Sequence, residues 1–177
     1  MTHTIDTERI QLVACDAAIF TALLAGKAAI GTLLNVAVPN RLTSYGNEPF
    51  RYSLNKIQQD PVEADWWMYL PIYKPENLLV GTCGYKGKPD EHGMVEIGYE
   101  IIKSYRRRGL GTEVAKALIG NAFADTRVEV VQAHTLAKPN PSTKILRACG
   151  MTREEELTDP DDGLLWRWQL NRTYPSL

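Results

Sequence analysis

The chain has 177 residues, 44% hydrophobic and 23% charged, with 20 Lys and Arg against 21 Asp and Glu for a net charge of −1. That balance excludes a disordered chain, which carries fewer apolar residues and more net charge. It also excludes a general nucleic-acid binder, which needs a basic excess to neutralise phosphates. The length suits one domain over residues 1–177, so any cationic site must be local.

No basic segment followed by an apolar core opens the chain, so no secretory signal is read. The apolar stretch at 17–26, interrupted by Lys27, is about half the ~20 residues that span a bilayer. Cys15, Cys83 and Cys149 are odd in number and widely spaced, and they form no ligand cluster with His3, His92 or His134. Reduced thiols in a soluble cytoplasmic protein, with no metal and no membrane partner, are expected.

In chain order, residues 4–15 read as one strand, with Ile10, Leu12 and Ala14 alternating against Arg9, Gln11 and Val13. Residues 16–34 read as a helix capped by Asp16. Turns at Pro39-Asn40 and Gly46-Asn47 precede a short helix within 49–59. Segments 66–73 and 78–85 read as a hairpin around Lys74-Pro75-Glu76-Asn77. Over 94–103, Val95, Ile97, Tyr99 and Ile101 take one face; Glu96, Gly98, Glu100 and Ile102 take the other. After 106–111 comes a helix in which Val114, Ala115, Leu118, Ile119, Ala122 and Phe123 recur at helical spacing. A strand at 128–136, a helix at 141–149 ending before Gly150, and strands at 151–157 and 164–171 complete the chain. Strands and helices alternate as in a mixed-sheet α/β or α+β fold.

The segment with the most chemistry is strand, then Arg106-Arg107-Arg108-Gly109-Leu110-Gly111-Thr112, then helix. Glycines without Cβ let an anion approach the backbone, the helix start presents free N–H groups, and arginines suit phosphate oxygens. Together they make a pyrophosphate cradle; the competing reading is a solvated surface turn. A dinucleotide fingerprint fails because Val114 stands where its third glycine belongs, and a Walker A loop fails because no lysine precedes Thr112.

Here the sequence resembles the GNAT superfamily of N-acetyltransferases, whose cofactor loop reads Arg/Gln-x-x-Gly-x-Gly/Ala; Arg106, Gly109 and Gly111 fill it. Val95-Glu96-Ile97-Gly98-Tyr99-Glu100-Ile101 and Asn140-Pro141-Ser142-Thr143-Lys144-Ile145-Leu146, with Cys149-Gly150-Met151, are similar to the branch that acetylates ribosomal-protein N-termini. Thr7-Glu8-Arg9-Ile10-Gln11-Leu12 resembles that branch's opening strand. The resemblance implies a mostly antiparallel, splayed sheet flanked by helices, with acetyl-CoA as co-substrate entering where the strands near 95–103 and 128–136 part. It implies that backbone at Ile101 and Ile102 pairs with the pantetheine arm, and that Arg106, Arg107, Arg108, Gly109, Leu110, Gly111 and Thr112 hold the diphosphate. Asn140, Ser142 and Thr143 would line the cofactor, and Lys144 and Arg147 either meet its 3′-phosphate or form a wet helix face.

Acetyl transfer to an amine requires deprotonation, because an alkylammonium of pKa ~10 is only about 0.1% neutral at pH 7. Glu96 occupies the position where the superfamily places a base, Glu100 shares its strand face, and an arginine-paired structural role is the alternative for Glu96. The thioester oxygen draws on an N–H near Ile101 or Ile102. Family members protonate the thiolate with a Tyr four residues after the Ser142 position; here Leu146 stands there, leaving Ser142 as the acid or as a helix N-cap. Cys149 is expected to be buried, His134 to pack or hydrogen-bond, and Trp66-Trp67 to form core and wall. Acceptor specificity falls to 35–65 and 158–163, where Asp60, Glu63, Asp65 and Asp159 to Asp162 either attract an amine or are simply solvated. The expected partner is a small-molecule or peptide amine, with the protein a monomer or homodimer. Two alternatives stand beside this reading: a CoA-binding sensor or scaffold without catalysis, and a transferase for larger acyl groups.

Overall fold

The computed structural model describes residues 2–174. Strands β1 (Thr4–Asp6) and β2 (Ile10–Ala14) open the chain, followed by α1 (Ala17–Ala25), α2 (Lys27–Leu34) and α3 (Glu48–Gln59). Then come β3 (Met68–Tyr73), β4 (Leu78–Leu79), β5 (Gly81–Tyr85), β6 (Met94–Ile101), α4 (Leu110–Ala124), β7 (Val130–Leu136), α5 (Pro141–Ala148), β8 (Thr152–Asp159) and β9 (Gly163–Asn171). The sheet order is β1-β2-β3-β5-β6-β7-β9-β8, with β4 paired to β3. Every pairing between these strands is antiparallel except β6–β7.

Several expected elements are divided. The strand at 4–15 is a hairpin, because Thr7 folds the chain back: its N–H donates to Ile10 O (2.8 Å) and its Oγ1 accepts from Ile10 N (3.0 Å). The helix at 16–34 starts on the Asp16 cap but breaks at Gly26, whose φ of 116° continues no helix. The expected strand at 78–85 is split: between Ile72↔Leu79 and Tyr69↔Cys83 the pairing gains one residue, a bulge at Val80-Gly81. Trp66 ends a 3₁₀ turn (Pro61–Trp66) rather than starting β3, and β7 begins at Val130 rather than 128. β6 stops at Ile101, and Lys103–Tyr105 form a further 3₁₀ turn.

The alternation along the strands builds a core on each face of the sheet. Ile10, Leu12, Tyr69, Val95 and Ile97 pack against Leu110, Val114 and Leu118 of α4 and Leu146 of α5. Val13, Leu70, Ile72 and Leu79 meet Phe20, Ile30, Phe50 and Ile57 from α1 to α3. Trp168 of β9, 1% exposed, closes the first core and donates its Nε1–H to Thr135 Oγ1 at 3.0 Å. Trp67 is buried in the second core, while Trp66 packs against Tyr85 with ring centroids 5.0 Å apart, so both tryptophans take structural positions.

Close backbone approach holds β3, β5 and β6 together. A Cβ on Gly84, where φ is 144°, would lie 2.0 Å from Trp67 O, an unyielding backbone atom. Gly84→Ala is therefore expected to cost roughly 2–4 kcal/mol through overpacking and left-handed strain. Urea unfolding monitored by tryptophan fluorescence measures it.

Candidate active site

The parallel pairing of β6 with β7 covers only Met94↔Val130, Val95↔Val131 and Glu96↔Gln132. Beyond it the two strands part. The β5–β6 register decides which backbone groups face the resulting gap. Ile102 N–H donates to Val80 O (2.9 Å) and Lys86 N–H to Glu96 O (3.0 Å), so residues 96, 98, 100 and 102 direct their backbone groups toward β5. Tyr99 and Ile101 therefore turn their N–H groups to the gap. Of the two residues that the resemblance set against the pantetheine arm, Ile101 turns its N–H to the gap, whereas Ile102 gives its N–H to Val80 O on the β5 side.

The loop after β6 brings the expected cradle to the same end of the gap. Gly109 caps α4 with φ 77° and carries no side chain to satisfy the helix N–H groups. Glu113 N–H, bonded to Gly109 O at 3.1 Å, is the first with a backbone acceptor in the helix; those of Leu110, Gly111 and Thr112 point out of its end. Leu110 is buried, so only its backbone is on offer. Gly109 suits close approach: apart from Arg9 Nη2 at 3.3 Å, nothing stands near a Cβ there. Gly111 has a packing role beside the one read from sequence, since a Cβ there would lie 2.8 Å from Ile145 Cδ1. Its missing Cβ thus serves α4–α5 packing, while its N–H stays at the open helix end.

The arginines divide their work. Arg106 donates Nε–H to Ile101 O (2.8 Å), tying the loop to the strand end. Arg107 is exposed in the left-handed region with φ 61°, and Arg108 stacks 4.4 Å over Tyr105. The loop's anchor was missed in the sequence. Glu113 accepts from Thr7 Oγ1 (2.6 Å), Arg9 N (2.8 Å) and Arg9 Nε (2.8 Å), and Arg9 Nη1 donates to Arg108 O (2.9 Å). Burial raises the Glu113 pKa, but its bonds to Thr7 and Arg9 outweigh that and hold the carboxyl below the usual range.

At the other wall, Asn140 and Thr143 are spent on a capping box. Asn140 Oδ1 accepts from Thr143 N (3.0 Å), Thr143 Oγ1 accepts from Asn140 N (3.2 Å), and Asn140 Nδ2 donates to Lys138 O (3.0 Å). The N-cap of α5 is thus Asn140, not Ser142, because only Asn140 has extended backbone ahead of the helix. Ser142, in the first turn, lies beside the hydroxyl of Tyr99. That hydroxyl is buried without a partner in hydrogen-bond geometry, and burial pushes its pKa up while Ser142 opposes the rise. Tyr99 also passed unnoticed in the sequence, where its alternation reads as core. Cys149 is half-buried rather than buried, and burial raises its thiol pKa. Lys144 and Arg147 are exposed, with Arg147 5.5 Å over Trp168.

Glu96 and Glu100 share a face but not a role. Glu100 accepts from Thr43 Oγ1 (2.7 Å) and Ser44 N (3.0 Å), pinning the loop before α3 to β6. Between the two carboxylates Gly98 leaves open space: nothing lies within 4 Å of a Cβ there. Glu96 Oε1 meets Lys86 Nζ (2.5 Å) and His134 Nδ1 (2.9 Å), and Oε2 faces Gln132 Nε2 (3.4 Å). The expected arginine partner of Glu96 is a lysine. Burial raises the Glu96 pKa, yet Lys86 and His134 together bring it below the usual range. Glu63 and Asp60 pair with Lys88, and Asp159 accepts from the backbone of Asp161 and Asp162, so these acids mostly serve local structure. Among the described residues no cluster of three or more His, Cys, Asp or Glu is placed to hold a metal, and no helix is long and apolar enough to cross a membrane.

The acetyltransferase (GNAT) domain family matches residues 37–152. The chain belongs to this family. Among curated GNAT relatives, the uncharacterized N-acetyltransferase YjdG of Bacillus subtilis (strain 168) is 38% identical over 87 residues, 49% of this chain and 50% of its own. The uncharacterized N-acetyltransferase p20 of Bacillus licheniformis is 28% identical over 88 residues, 50% of this chain and 49% of its own. The match spans about half the length of these relatives. The ribosomal-protein-S5-alanine acetyltransferase of Vibrio fischeri superposes with a TM-score of 0.69 at 14% identity, over 96% of both chains. RimL, a ribosomal L7/L12 α-N-protein acetyltransferase solved in complex with coenzyme A, superposes at 0.68 with 17% identity, over 96% of this chain and 98% of its own. At such identities the superpositions establish the fold.

The Glu113 anchor yields a pH test. A depressed folded pKa contributes stability that is present above the unfolded pKa and lost as pH falls through the folded one. Wild type and Glu113→Gln should therefore differ in urea midpoint at pH 7 and converge as pH drops below the usual carboxylate range, as chemical denaturation across pH would record.

Proposed function

We propose that this protein is a cytoplasmic N-acetyltransferase that moves an acetyl group from acetyl-CoA directly to a primary amine, either a protein N-terminus or a small-molecule amine. The observation that carries this reading is the gap between β6 and β7, with unpaired strand N–H groups along one edge and the α4 N-terminus at its end. A pantetheine arm is an extended chain with two amides, matched to the free edge at Tyr99 and Ile101. Its diphosphate suits the N–H groups of residues 110–112 and the Arg106, Arg107 and Arg108 side chains, the helix dipole adding to the attraction. The relatives named N-acetyltransferases, and the coenzyme A complex of RimL, support the same co-substrate.

In the proposed reaction the acceptor enters over Gly98, on the face that carries Glu96. The Glu96–His134 pair strips the ammonium proton, removing a handicap of roughly 4 kcal/mol at pH 7 for an alkyl amine. The neutral nitrogen attacks the thioester carbonyl. Negative charge then develops on the carbonyl oxygen, where the Tyr99 or Ile101 N–H can donate to it. As the C–S bond breaks, Ser142 passes its hydroxyl proton to the thiolate and regains one from the N–H that the nitrogen sheds on becoming an amide; Ser142 takes this role because Leu146 stands where the family's Tyr would be. Glu100 acts at a distance, fixing the 43–44 loop that borders the acceptor. Asn140 and Thr143 hold the start of α5, and so the position of Ser142.

Thiol release from acetyl-CoA across a panel of primary amines tests the reading, with CoA affinity measured by calorimetry. Tight CoA binding with no turnover on any amine would favour the scaffold alternative; faster release from propionyl- or succinyl-CoA would favour larger acyl groups. Gly109→Val is expected to weaken CoA binding at least about tenfold, or 1.4 kcal/mol, because its side chain fills the diphosphate's approach. Circular dichroism confirms that the variant is folded, and undiminished affinity would sink the loop assignment.

A further inference from the structure

Glu96 stands at the family's base position but is poorly free to accept a proton. Oε1 is shared by Lys86 and His134, Oε2 faces Gln132, and the carboxylate is 15% exposed. Protonating it would uncouple an ammonium and an imidazole at once, and each of those contacts favours the charged carboxylate. His134 is arranged the other way. A carboxylate only accepts, so the 2.9 Å contact from Nδ1 to Glu96 requires the proton on Nδ1, and in the neutral imidazole that leaves the Nε2 lone pair bare. Nε2 makes no hydrogen bond among the described residues. It is also not sealed off, since the buried unpartnered side-chain nitrogens and oxygens are Tyr99 Oη and Arg167 Nε.

Strand register explains the placement. Gln132 pairs with Glu96, so His134, two residues further along β7, lies on the same face just past the point where β6 turns away. Extending that register sets it level with Gly98, where nothing lies within 4 Å of a Cβ. We propose that His134 Nε2 is the atom that takes the proton from the acceptor ammonium, and that Glu96 is a positioning residue that fixes the imidazole's tautomer and orientation. This rests on the acetyl-transfer reading above.

The step balances without further reactants. The ammonium N–H bond breaks, its proton joins the Nε2 lone pair, and the electron pair stays on the amine nitrogen. Nδ1 keeps its own proton, and the Glu96 charge stabilises the resulting imidazolium. After attack, a second N–H proton leaves as the amide forms and one proton ends on the CoA thiolate; His134 returns its proton to solvent. Net, an ammonium and acetyl-CoA give an amide, CoA thiol and one proton. The groups that face the imidazole are Glu96 from β6, Lys86 after β5, Asp159 at the β8–β9 turn, and Arg167, its cross-strand partner on β9. Lys86 is paired with Glu96 and Arg167 Nη2 with Glu155 at 2.5 Å, so neither cation is left free to repel the incoming ammonium.

Two measurements test this, and one is independent of the acceptor. Ring ¹⁵N NMR of the labelled protein, with His134 assigned by loss of its signals in His134→Gln, should show the Nδ1–H tautomer in the wild type and its loss in Glu96→Gln. An Nε2–H tautomer in the wild type would overturn the proposal whether or not an amine is turned over. With acetyl-CoA and an alanine-starting peptide as the amine probe, His134→Gln should lower kcat about 100-fold or more. The deficit should shrink as pH approaches the amine's own pKa, where the neutral form supplies itself. CoA affinity by calorimetry should be unchanged. Wild-type kcat in His134→Gln would overturn the assignment of His134 alone, whereas absence of CoA binding in the wild type would overturn the acetyl-CoA reading.

Discussion

A parallel pairing that ends after three residues organises this protein. β6 is bound along one edge to β5 over its last five residues, while its other edge leaves β7 after Glu96↔Gln132. Backbone donors left without acceptors cost about 1–3 kcal/mol each when buried, so a sheet ordinarily closes such a gap. Here it stays open because the two strands belong to differently anchored halves. β6 is drawn to β5 by the close approach at Gly81, β5 in turn to the start of β3 at Gly84, and β7 is held by seven residue pairs to β9. Neither half can move toward the other without breaking its own pairing. The result is a fixed slot with unspent hydrogen-bonding capacity, and the proposed site is built around it.

The electrostatics follow the same economy. A chain of net charge −1 concentrates its cations where they have defined partners. Arg9 reaches from the β1–β2 turn to Glu113 and Arg108 O, so the first hairpin acts as a brace for the loop that starts α4. Arg106 is oriented by Ile101 O, which leaves the far end of its guanidinium directed by the strand rather than by solvent. On the opposite face, Lys86, His134 and Gln132 surround one carboxylate, an arrangement that keeps Glu96 charged and the imidazole oriented. Two neighbouring strands, β6 and β7, and the residue that follows β5 contribute to that cluster.

The elements set by local rules were legible in the sequence, and those set by distant contacts were not. The strict alternation at 94–101, the helix from Leu110 and the Asp16 cap depend on neighbours in the chain, and they stand where periodicity and capping chemistry put them. The division of 4–15 into a hairpin was hidden because Thr7 and Arg9 fit a strand by propensity, and their turn is fixed by Glu113, more than a hundred residues away. Gly111 reads as part of an anion loop, yet its missing Cβ makes room for Ile145. Ser142 looks like a cap until Asn140 is seen to hold that place with Thr143.

The sequence by itself determined the family, the alternation that puts Glu96, Gly98 and Glu100 on one face, and the position of a glycine-capped helix after three arginines. These are properties of residue type and spacing, and they survive any arrangement of the remaining chain. Only the tertiary structure decided that Tyr99 and Ile101, rather than Ile102, turn their N–H groups to the slot, because that depends on register with β5. It alone joined Glu96 to Lys86 and His134, and separated it from Glu100, which serves the loop at Thr43. A carboxylate's proton affinity and a histidine's tautomer are set by groups within about 3–4 Å. Those groups come from strands that only the folded sheet brings together.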